Sequence, residues 1–535
     1  MRMTNKIMQN NSLYNINNNK ILQDKLSTQM STQKKLTRPS DDPVVAIRAL
    51  RLRTSVTELK QFYEKNAPDA DSWLEVTGKA LSTVTEVLTD MGKQVNKGAN
   101  KDLATEDLEI IVEQMKSLRD EFYATGNVDY AGRYVFTGYR TDTTMSFTEE
   151  VEGLGAGYPS YEITEQNTLK DFDTVSYTDI GKLAGMNKNN YTETGFGGIK
   201  EGDVSNTSIY RMRLAYDDLK GETTTDPTAP KTDGVTITIP DAAGGSATIT
   251  AQTWSKDDGY KKIADANAAD ENLAVYIPET GEILFSNKAY SELESKAKGD
   301  NGTYKEIQIT YTKDSWRNGD LRPEHYFACK GKDGTKDENG DDIEIKYNQE
   351  YLTQGKTKQT IEYDVGYNQK IQVNTTADEV FNHNLDRDVD DMENTLANLK
   401  EVEAIKNDME EVLKGLNEED ATYADVKKKY DAAVKAYDYL RESMHNIFEN
   451  AITKTQGYLD DTNVAITDNG TRSQRLDLIS NRLMDQKTTF QTLQSENEDA
   501  DIAEVAVQLT STELTYEAAL MATGKIMQTS LMNYI

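Results

Sequence analysis

The sequence predicts an elongated α+β protein. In this fold class a helical coiled-coil rod, built from paired N- and C-terminal segments, carries an inserted and mainly antiparallel β domain. Apolar residues recur at heptad spacing at both ends of the chain, whereas between about 147 and 373 they alternate with polar residues. The nine prolines all precede residue 324, so the last third of the chain is free to form long helices. The predicted domains are terminal assembly segments (1–43 and 491–535), a helical rod (44–147 and 371–490) and a β-rich insert (148–370).

The first third predicts an antiparallel helical hairpin. Two apolar stripes at helical spacing, within 74–95 and 108–122, flank the short polar turn Gly98-Ala99-Asn100-Lys101-Asp102. A hairpin with one apolar stripe on each helix needs a further partner to cover it. The positions expected to pack the rod are Leu81, Leu88, Ile111 and Leu118.

The C-terminal third also predicts long helices. Residues 386–459 are rich in Glu, Lys, Ala and Leu, and Gly415 with the acidic cluster near Glu418 indicates a break. Two heptad stripes follow, within 476–493 and 502–531. A terminal segment has few neighbours, so its stripe is expected to be exposed in the monomer and to serve assembly. The predicted assembly positions are Leu22, Leu26, Leu509, Tyr516, Leu520, Met527 and Leu531.

The middle of the chain predicts strands, because Gly, Thr, Tyr and Asp rise and the apolar period is two. Pro278-Glu279-Thr280-Gly281 predicts a hairpin turn between 274–277 and 283–285. The other clear segments are 235–239, 307–311 and 343–347.

Composition narrows the classes of partner. The chain has 60 Lys and Arg against 91 Asp and Glu, and its net charge of −31 disfavours nucleic acid and anionic membranes. Only 36% of residues are apolar, which is typical of thin helical structures with much solvated surface. We find neither a signal-peptide pattern in the first thirty residues nor an apolar run long enough to span a membrane. The single Cys329 excludes an intrachain disulfide framework.

Motifs for catalysis, metals or cofactors are weak. The three histidines, His325, His383 and His445, lie in different segments, and no nucleophile-elbow or His-Glu-x-x-His pattern occurs. His325 and Cys329 lack a second pair of zinc ligands. The acidic segment 333–342 fails the EF-hand register and is expected to be a solvated hairpin tip. The glycines of 153–157 lack dinucleotide-binding spacing and predict a linker. We therefore expect no enzyme, cofactor or metal site.

Several short segments are informative through the identity of their residues as well as through their apolar spacing. Residues 30–47, MSTQKKLTRPSDDPVVAI, closely resemble a signature of the flagellin and hook-associated protein superfamily, although Gln33 stands where that superfamily usually has glycine. Ser40, Asp41 or Asp42 can also cap a helix whose first turn contains Pro43. Segments 132–139, 365–374 and 495–504 resemble other parts of the same superfamily. The ending Ser530-Leu531-Met532-Asn533-Tyr534-Ile535 is most similar to its hook-filament junction branch.

The resemblance implies a structural role in the bacterial flagellum. In this superfamily the chain ends pair as a coiled coil lining the inner tube and become ordered when a subunit is added. The junction branch forms a self-associated ring between hook-associated protein 1 and flagellin. The resemblance also implies an extracellular location, reached through the flagellar type III export apparatus with an export chaperone and without a cleaved signal.

Three alternatives stay open at this point. The chain could be flagellin, the main filament subunit, which would be abundant where a junction ring is scarce. The β insert could be a surface adhesin that binds glycans through Tyr210, Tyr276 and Tyr311, although these residues can equally belong to the core of a sheet. An enzyme could rest only on paired carboxylates in the insert.

Overall fold

The computed structural model describes residues 5–36, 38–152, 160–221, 235–240, 246–298, 304–336, 342–354, 359–420 and 422–531. The predicted linker 153–157 and the tip residues 337–341 lie outside these ranges. The helices are α1 (Asn5–Thr32), α2 (Pro43–Gln61), α3 (Ala67–Gly98), α4 (Thr105–Thr125), α5 (Lys256–Ala269), α6 (Asn287–Ala297), α7 (Tyr351–Gln354), α8 (Asn384–Lys414), α9 (Tyr423–Glu498) and α10 (Ile502–Leu531). A π-helical turn, Phe62–Asn66, follows α2.

Seventeen strands are described, most of them in the middle of the chain. They are β1 (Asp129–Tyr130), β2 (Arg133–Tyr134), β3 (Val151–Glu152), β4 (Ser160–Asn167), β5 (Phe172–Asp179), β6 (Ser205–Arg213), β7 (Thr236–Pro240), β8 (Ser246–Thr250), β9 (Gln252–Thr253), β10 (Ala274–Ile277), β11 (Glu282–Phe285), β12 (Ile307–Lys313), β13 (Ser315–Trp316), β14 (Ala328–Lys336), β15 (Asp342–Tyr347), β16 (Glu362–Gly366) and β17 (Gln369–Gln372). The predicted α+β class is confirmed.

The predicted helix ends match the structure closely. The turn 98–102 separates α3 from α4, and Gly415 is the C-cap that ends α8 before α9 begins. Met1–Asp71, Glu362–Ile371 and Ser473–Ile535 form one compact unit, unit 1. Ser72–Ile361 and Gln372–Arg472 form the other, unit 2. The division into assembly segments, rod and insert stays a prediction.

Within unit 1, α1 and α10 run antiparallel. The Lys34–Asp499 bridge lies at one end of the pair, and further along Gln23 Nε2 donates to Glu513 Oε1 at 3.4 Å. The β16–β17 hairpin packs beside the π-helical turn, where Asn66 donates its side-chain amide to Asp364 O at 2.7 Å. These contacts join the two ends of the chain, as the paired-terminus prediction required.

Within unit 2, parts of four helices contact one another in antiparallel pairs. Asn469 donates to Leu74 O at 3.0 Å between α9 and α3, and Lys400 pairs with Glu109 at 2.6 Å between α8 and α4. Gly98 lies against the ring of Phe448, where a Cβ atom would collide. The helical material at 386–459 therefore supplies packing partners for the α3–α4 hairpin.

Two larger sheets lie in unit 2, which also contains the two-stranded pairs β1-β2 and β3-β13. One has the order β15-β14-β4-β12-β7-β8 and is antiparallel throughout, and the other has the order β5-β6-β11-β10-β9 with β9 and β10 parallel. Side chains from both sheets meet in one core that includes Ile163, Ile309, Met212 and Phe285. The predicted turn between β10 and β11 is present, and Gly281 takes φ +59° there.

The insert is mainly antiparallel β, as expected, and it also contains helices for which no prediction was made. Helices α5 and α6 interrupt it, and each begins at a serine N-cap: Ser255 accepts from Asp258 N and Ser286 accepts from Ala289 N. In the sequence, a serine immediately before a run of polar residues could have indicated where each helix begins. The alternating apolar pattern of the neighbouring segments favoured strands instead.

A buried ionic cluster joins the five-stranded sheet to the helices within unit 2. Arg211 donates to Asp173, Glu282 and Asp391 at 2.7–3.0 Å. Asp388, on α8, accepts from Lys454 and Tyr458 of α9 at 2.6 and 2.7 Å. Because these charges are removed from water, loss of one member leaves its partners poorly compensated.

Candidate assembly surface

The turn between α1 and α2 sets the geometry of the terminal helices. Gln33 occupies the left-handed region, with φ +56°, at the position where the superfamily usually has glycine. Its carbonyl accepts from Ala500 N at 2.9 Å, and Lys35 N donates to Glu498 O at 2.7 Å. The turn between α1 and α2 is thus hydrogen-bonded to the turn between α9 and α10. We call these two joined turns the paired turn.

Charged contacts support this paired turn. The Glu498 carboxylate, which is almost fully buried, accepts from Arg53 Nε at 2.7 Å and Nη2 at 2.6 Å, in a two-point ion pair. This carboxylate raises the pKa of Arg53 through its hydrogen bonds and charge. Lys34 lies 2.5 Å from Asp499, and this hydrogen bond lowers the pKa of Asp499.

The helix that follows the turn is capped as the sequence predicted. Asp42 is the N-cap of α2, and its carboxylate accepts from Val44 N at 3.0 Å and Val45 N at 3.2 Å. Pro43 occupies the first helical position, where no amide donor is needed. The cap fixes where α2 begins.

The residues of α1 that are shielded from solvent recur at intervals of three and four. Most of them are polar. These residues, which we call the α1 seam, are Ser12, Ile16, Asn19, Gln23 and Leu26. The matching α10 seam is Val505, Leu509, Thr512, Tyr516, Ala519 and Thr523. The antiparallel register of the two helices brings Leu26 level with Leu509. This spacing is the heptad pattern of two helices packed along their length.

Each terminal helix also carries an apolar stripe on the opposite face. Val507 lies two residues beyond Val505, which is about 200° around a helix of 3.6 residues per turn. Val507, Leu514 and Met521 are spaced by seven and keep 71%, 63% and 69% of their surface exposed. The corresponding stripe on α1 is Ile7, Tyr14 and Ile21, all exposed.

These six residues, which we call the outer stripes, are the functional candidates that the sequence analysis missed. Their spacing of seven residues was visible in the sequence. The stripe identified there on 502–531 instead mixed seam residues with exposed ones. Each stripe places an exposed apolar side chain at every second turn of its helix, with mostly polar residues between them.

The predicted assembly residues do not form one surface. Leu26 is buried, and Leu509 and Tyr516 are half-buried, within the α1–α10 pair. Leu22 and Leu520 are exposed, at 46% each. The side chains of Met527 and Leu531 lie outside the described residues. Their collective role in assembly stays a prediction.

The predicted rod-packing residues lie in unit 2. Leu81, Leu88 and Ile111 are buried, and Leu118 is half-buried. Leu81 and Leu88 lie on α3, whereas Ile111 and Leu118 lie on α4, so both helices of the hairpin turn predicted side chains inward.

His325 and Cys329, which were considered as zinc ligands, have the surroundings of side chains that serve the structure. His325 Nε2 lies 3.1 Å from Thr144 O, and burial lowers the pKa of this imidazole to about 4. Burial also raises the pKa of the Cys329 thiol far above its ordinary value. Within the described ranges, no three or more His, Cys, Asp or Glu residues are grouped to hold a metal ion. None of the described helices has the length and apolar character needed to cross a bilayer.

Comparison with known proteins shows which family the N-terminal part of the chain is similar to. Residues 3–141 match the family model described as the bacterial flagellin N-terminal helical region, a range that includes α1 to α4 and the turn between α1 and α2. The chain is thereby confirmed as similar to the flagellin and hook-associated protein superfamily.

Two individual proteins, which share one name, are similar to this chain over part of its length. Flagellar hook-associated protein 3 of Escherichia coli K12 is 30% identical over 213 residues, which is 40% of this chain and 64% of that protein. The protein of the same name from Salmonella typhimurium is 29% identical over 167 residues, 31% of this chain and 51% of that protein. The chain therefore matches about half to two-thirds of the length of these relatives.

Solved structures of proteins with related names align to this chain with low TM-scores. FlgL of Xanthomonas campestris gives a TM-score of 0.28 at 11% identity, covering 83% of this chain and 99% of that one. The flagellar junction protein FlgL of Legionella pneumophila gives 0.24 at 11% identity, covering 81% and 99%.

Proposed function

We propose that this protein is a structural adaptor of the bacterial flagellum that joins the hook to the flagellin filament and is not an enzyme. The observation that carries the proposal is the pair of outer stripes on α1 and α10. They belong to the unit that contains the paired chain ends, and the match to the flagellin N-terminal region includes α1. The similarity to hook-associated protein 3 favours the junction over the filament.

In this proposal the outer stripes bind the terminal helices of neighbouring subunits. Burying a large apolar side chain fully contributes about 1.5–3 kcal/mol. Leu514 retains 63% of its surface, so its burial in an assembly would contribute about 1–2 kcal/mol on the same scale. Six such side chains in each subunit would together contribute about 6–12 kcal/mol towards the cost of association.

The proposed partners follow from the junction position. They are hook-associated protein 1 on the hook side, flagellin on the filament side and further copies of this chain in a ring. Delivery would use the flagellar export apparatus and a chaperone. The negative charge of the chain argues against a nucleic-acid partner.

Deletion of the gene tests this function. Electron microscopy is expected to show hooks without filaments, while flagellin accumulates as monomer in the medium. Loss of flagellin itself from the cell and medium would identify the chain as the filament subunit. Normal filaments would contradict both flagellar roles.

Complementation then tests the stripe. Leu514→Gln keeps helix propensity but removes an exposed apolar side chain, and is expected to restore fewer filaments than the natural chain. Thr515→Gln, at the next position and also exposed, is the matched control and is expected to restore filaments fully. The amount of each variant in the medium separates an assembly defect from an export defect.

The adhesin alternative is weakened at two of its three residues. Tyr276 and Tyr311 are buried in the core shared by the two sheets. Tyr210 is half-buried and stacks on Tyr290 with ring centroids 3.9 Å apart.

A further inference from the structure

One edge of the six-stranded sheet in unit 2 carries exposed apolar side chains. Strand β15 lies at this edge, and among the described strands only β14 pairs with it. Ile343 and Ile345 of β15 keep 42% and 41% of their surface exposed. On β8, at the opposite edge, the exposed residues are instead a serine and two threonines. Because an edge strand presents a row of unpaired N–H and C=O groups, it can pair with a further strand.

The side chains of β15 alternate between two faces of the sheet. Ile343, Ile345 and Tyr347 share one face. The ring of Tyr347 is half-buried there, with its centroid 6.3 Å from that of Tyr161 in the core. Ile345 lies opposite Gly331 of β14, so no side chain from that position covers it. The two isoleucines therefore continue an apolar row that begins at the core and ends in solvent.

The other face of β15 carries two charges, and only one of them is compensated. Glu344 pairs with Lys332 of β14 at 3.0 Å. Lys346 instead lies opposite a second cation, Lys330, which pairs with Glu162 of β4 at 2.5 Å. Within the described ranges no carboxylate forms an ion pair with Lys346. A strand that brought a carboxylate to this position would supply the missing partner.

A second copy of β15, placed antiparallel along the edge, satisfies both faces at once. When Ile345 is aligned with Ile345 of the second copy, Glu344 lies opposite Lys346 twice and Ile343 lies opposite Tyr347 twice. The neighbouring registers that keep the same faces together set Glu344 against Glu344 or Lys346 against Lys346. Like charges directly opposite each other are destabilising. The strand thus has the self-complementarity that a twofold interface requires.

We propose that β15 is a self-association site, at which two copies of this chain join their six-stranded sheets into one continuous antiparallel sheet. The backbone groups of the edge supply the hydrogen bonds, the isoleucines supply the apolar contact, and the two Glu344–Lys346 pairs fix the register. A pair of six-residue strands is small beside a standard interface of about 1,600 Å², so the pairing is expected to be weak and reversible. This site is separate from the outer stripes and does not depend on the junction role.

Disulfide formation in the full chain tests the register. In Ile345→Cys the two thiols face each other, because directly opposite Cα atoms lie about 4.5–5.5 Å apart and a disulfide spans about 4.4–6.8 Å. Ile343→Cys is the matched control: it is equally exposed, but its copy in the second chain lies four residues, or about 13 Å, further along the strand. Cys329 is buried in both variants.

Under mild oxidation, Ile345→Cys is expected to form covalent dimers at least tenfold faster than Ile343→Cys. Equal rates, or faster dimer formation by Ile343→Cys, would contradict the register. Absence of dimers from Ile345→Cys would overturn the proposal, whether the edge pairs with another protein or with nothing.

Charge reversal gives a second test in the Ile345→Cys chain, read by the same dimer formation. Glu344→Lys and Lys346→Glu each place like charges opposite each other, and each is expected to slow dimer formation at least fivefold. An equimolar mixture of the two variants again sets opposite charges across the strands and is expected to restore the rate. Unchanged rates in both single variants, or a mixture no faster than either of them, would refute the pairing. Because only β15 carries the new thiol, association through the outer stripes does not affect this measurement.

Discussion

Replacing Leu26 by Ala is the sharpest test of how the chain ends pair. Leu26 is the most buried residue described on α1, with 4% of its surface exposed, and most of the other α1 seam residues are polar. Truncating a buried leucine to alanine costs about 2–5 kcal/mol, and at a site between only two helices we expect the lower part of this range, about 2–2.8 kcal/mol. At 1.4 kcal/mol for each tenfold change, this is a factor of about 30 to 100 in the local opening equilibrium.

Hydrogen exchange with mass spectrometry measures this opening. Amides in α1 and α10 are expected to exchange about 30- to 100-fold faster in Leu26→Ala, whereas those of unit 2 remain unchanged. Leu22→Ala is the matched control, because the same side chain lies one turn away with 46% of its surface exposed. An equal acceleration in both variants would refute the assignment of the seam.

Three further outcomes are expected. Gln33→Gly relieves a left-handed backbone and is expected to slow amide exchange in the paired turn by about fivefold, or about 1 kcal/mol; no change would mean that the turn carries no strain. Asp391→Asn leaves Arg211 less compensated and is expected to lower the free energy of unfolding of unit 2 by about 3 kcal/mol, measured by urea titration with tryptophan fluorescence; an unchanged midpoint would contradict a stabilising ionic cluster. Burial lowers the pKa of His325 to about 4 and of His383 to about 3. The unfolded chain then binds protons first as pH falls below about 6.5, so the unfolding free energy is expected to decrease between pH 6.5 and 4 by up to about 1.4 kcal/mol per pH unit for each group. His383→Gln is expected to reduce that slope, and an identical pH profile would show that His383 does not contribute.

Elements with strong local signals could be predicted from the sequence. Asp42 followed by Pro43 predicted a cap that the structure contains, and Gly415 marked the end of α8. The hairpin around Gly281 was predicted because a proline, polar residues and a glycine separate two apolar runs. In each case neighbouring residues determine the conformation.

Features that depend on distant packing could not be predicted in the same way. Both terminal helices have apolar residues on two faces, and the choice of the face that pairs depends on the register between α1 and α10. Thr512 and Asn19 occupy the seams although neither is apolar, while Leu514 is exposed. The buried ionic cluster of unit 2 likewise combines residues from β5, β6, β11 and α8, which are far apart in the sequence.

The central claim is that the outer stripes become buried when the subunit assembles, and maleimide labelling of Leu514→Cys measures this directly. Cys329 is buried, so the introduced thiol is the reactive one in the folded chain. The account predicts rapid labelling of the purified subunit and strong protection of the same position in isolated hook-filament preparations. Equally rapid labelling in both states would contradict it.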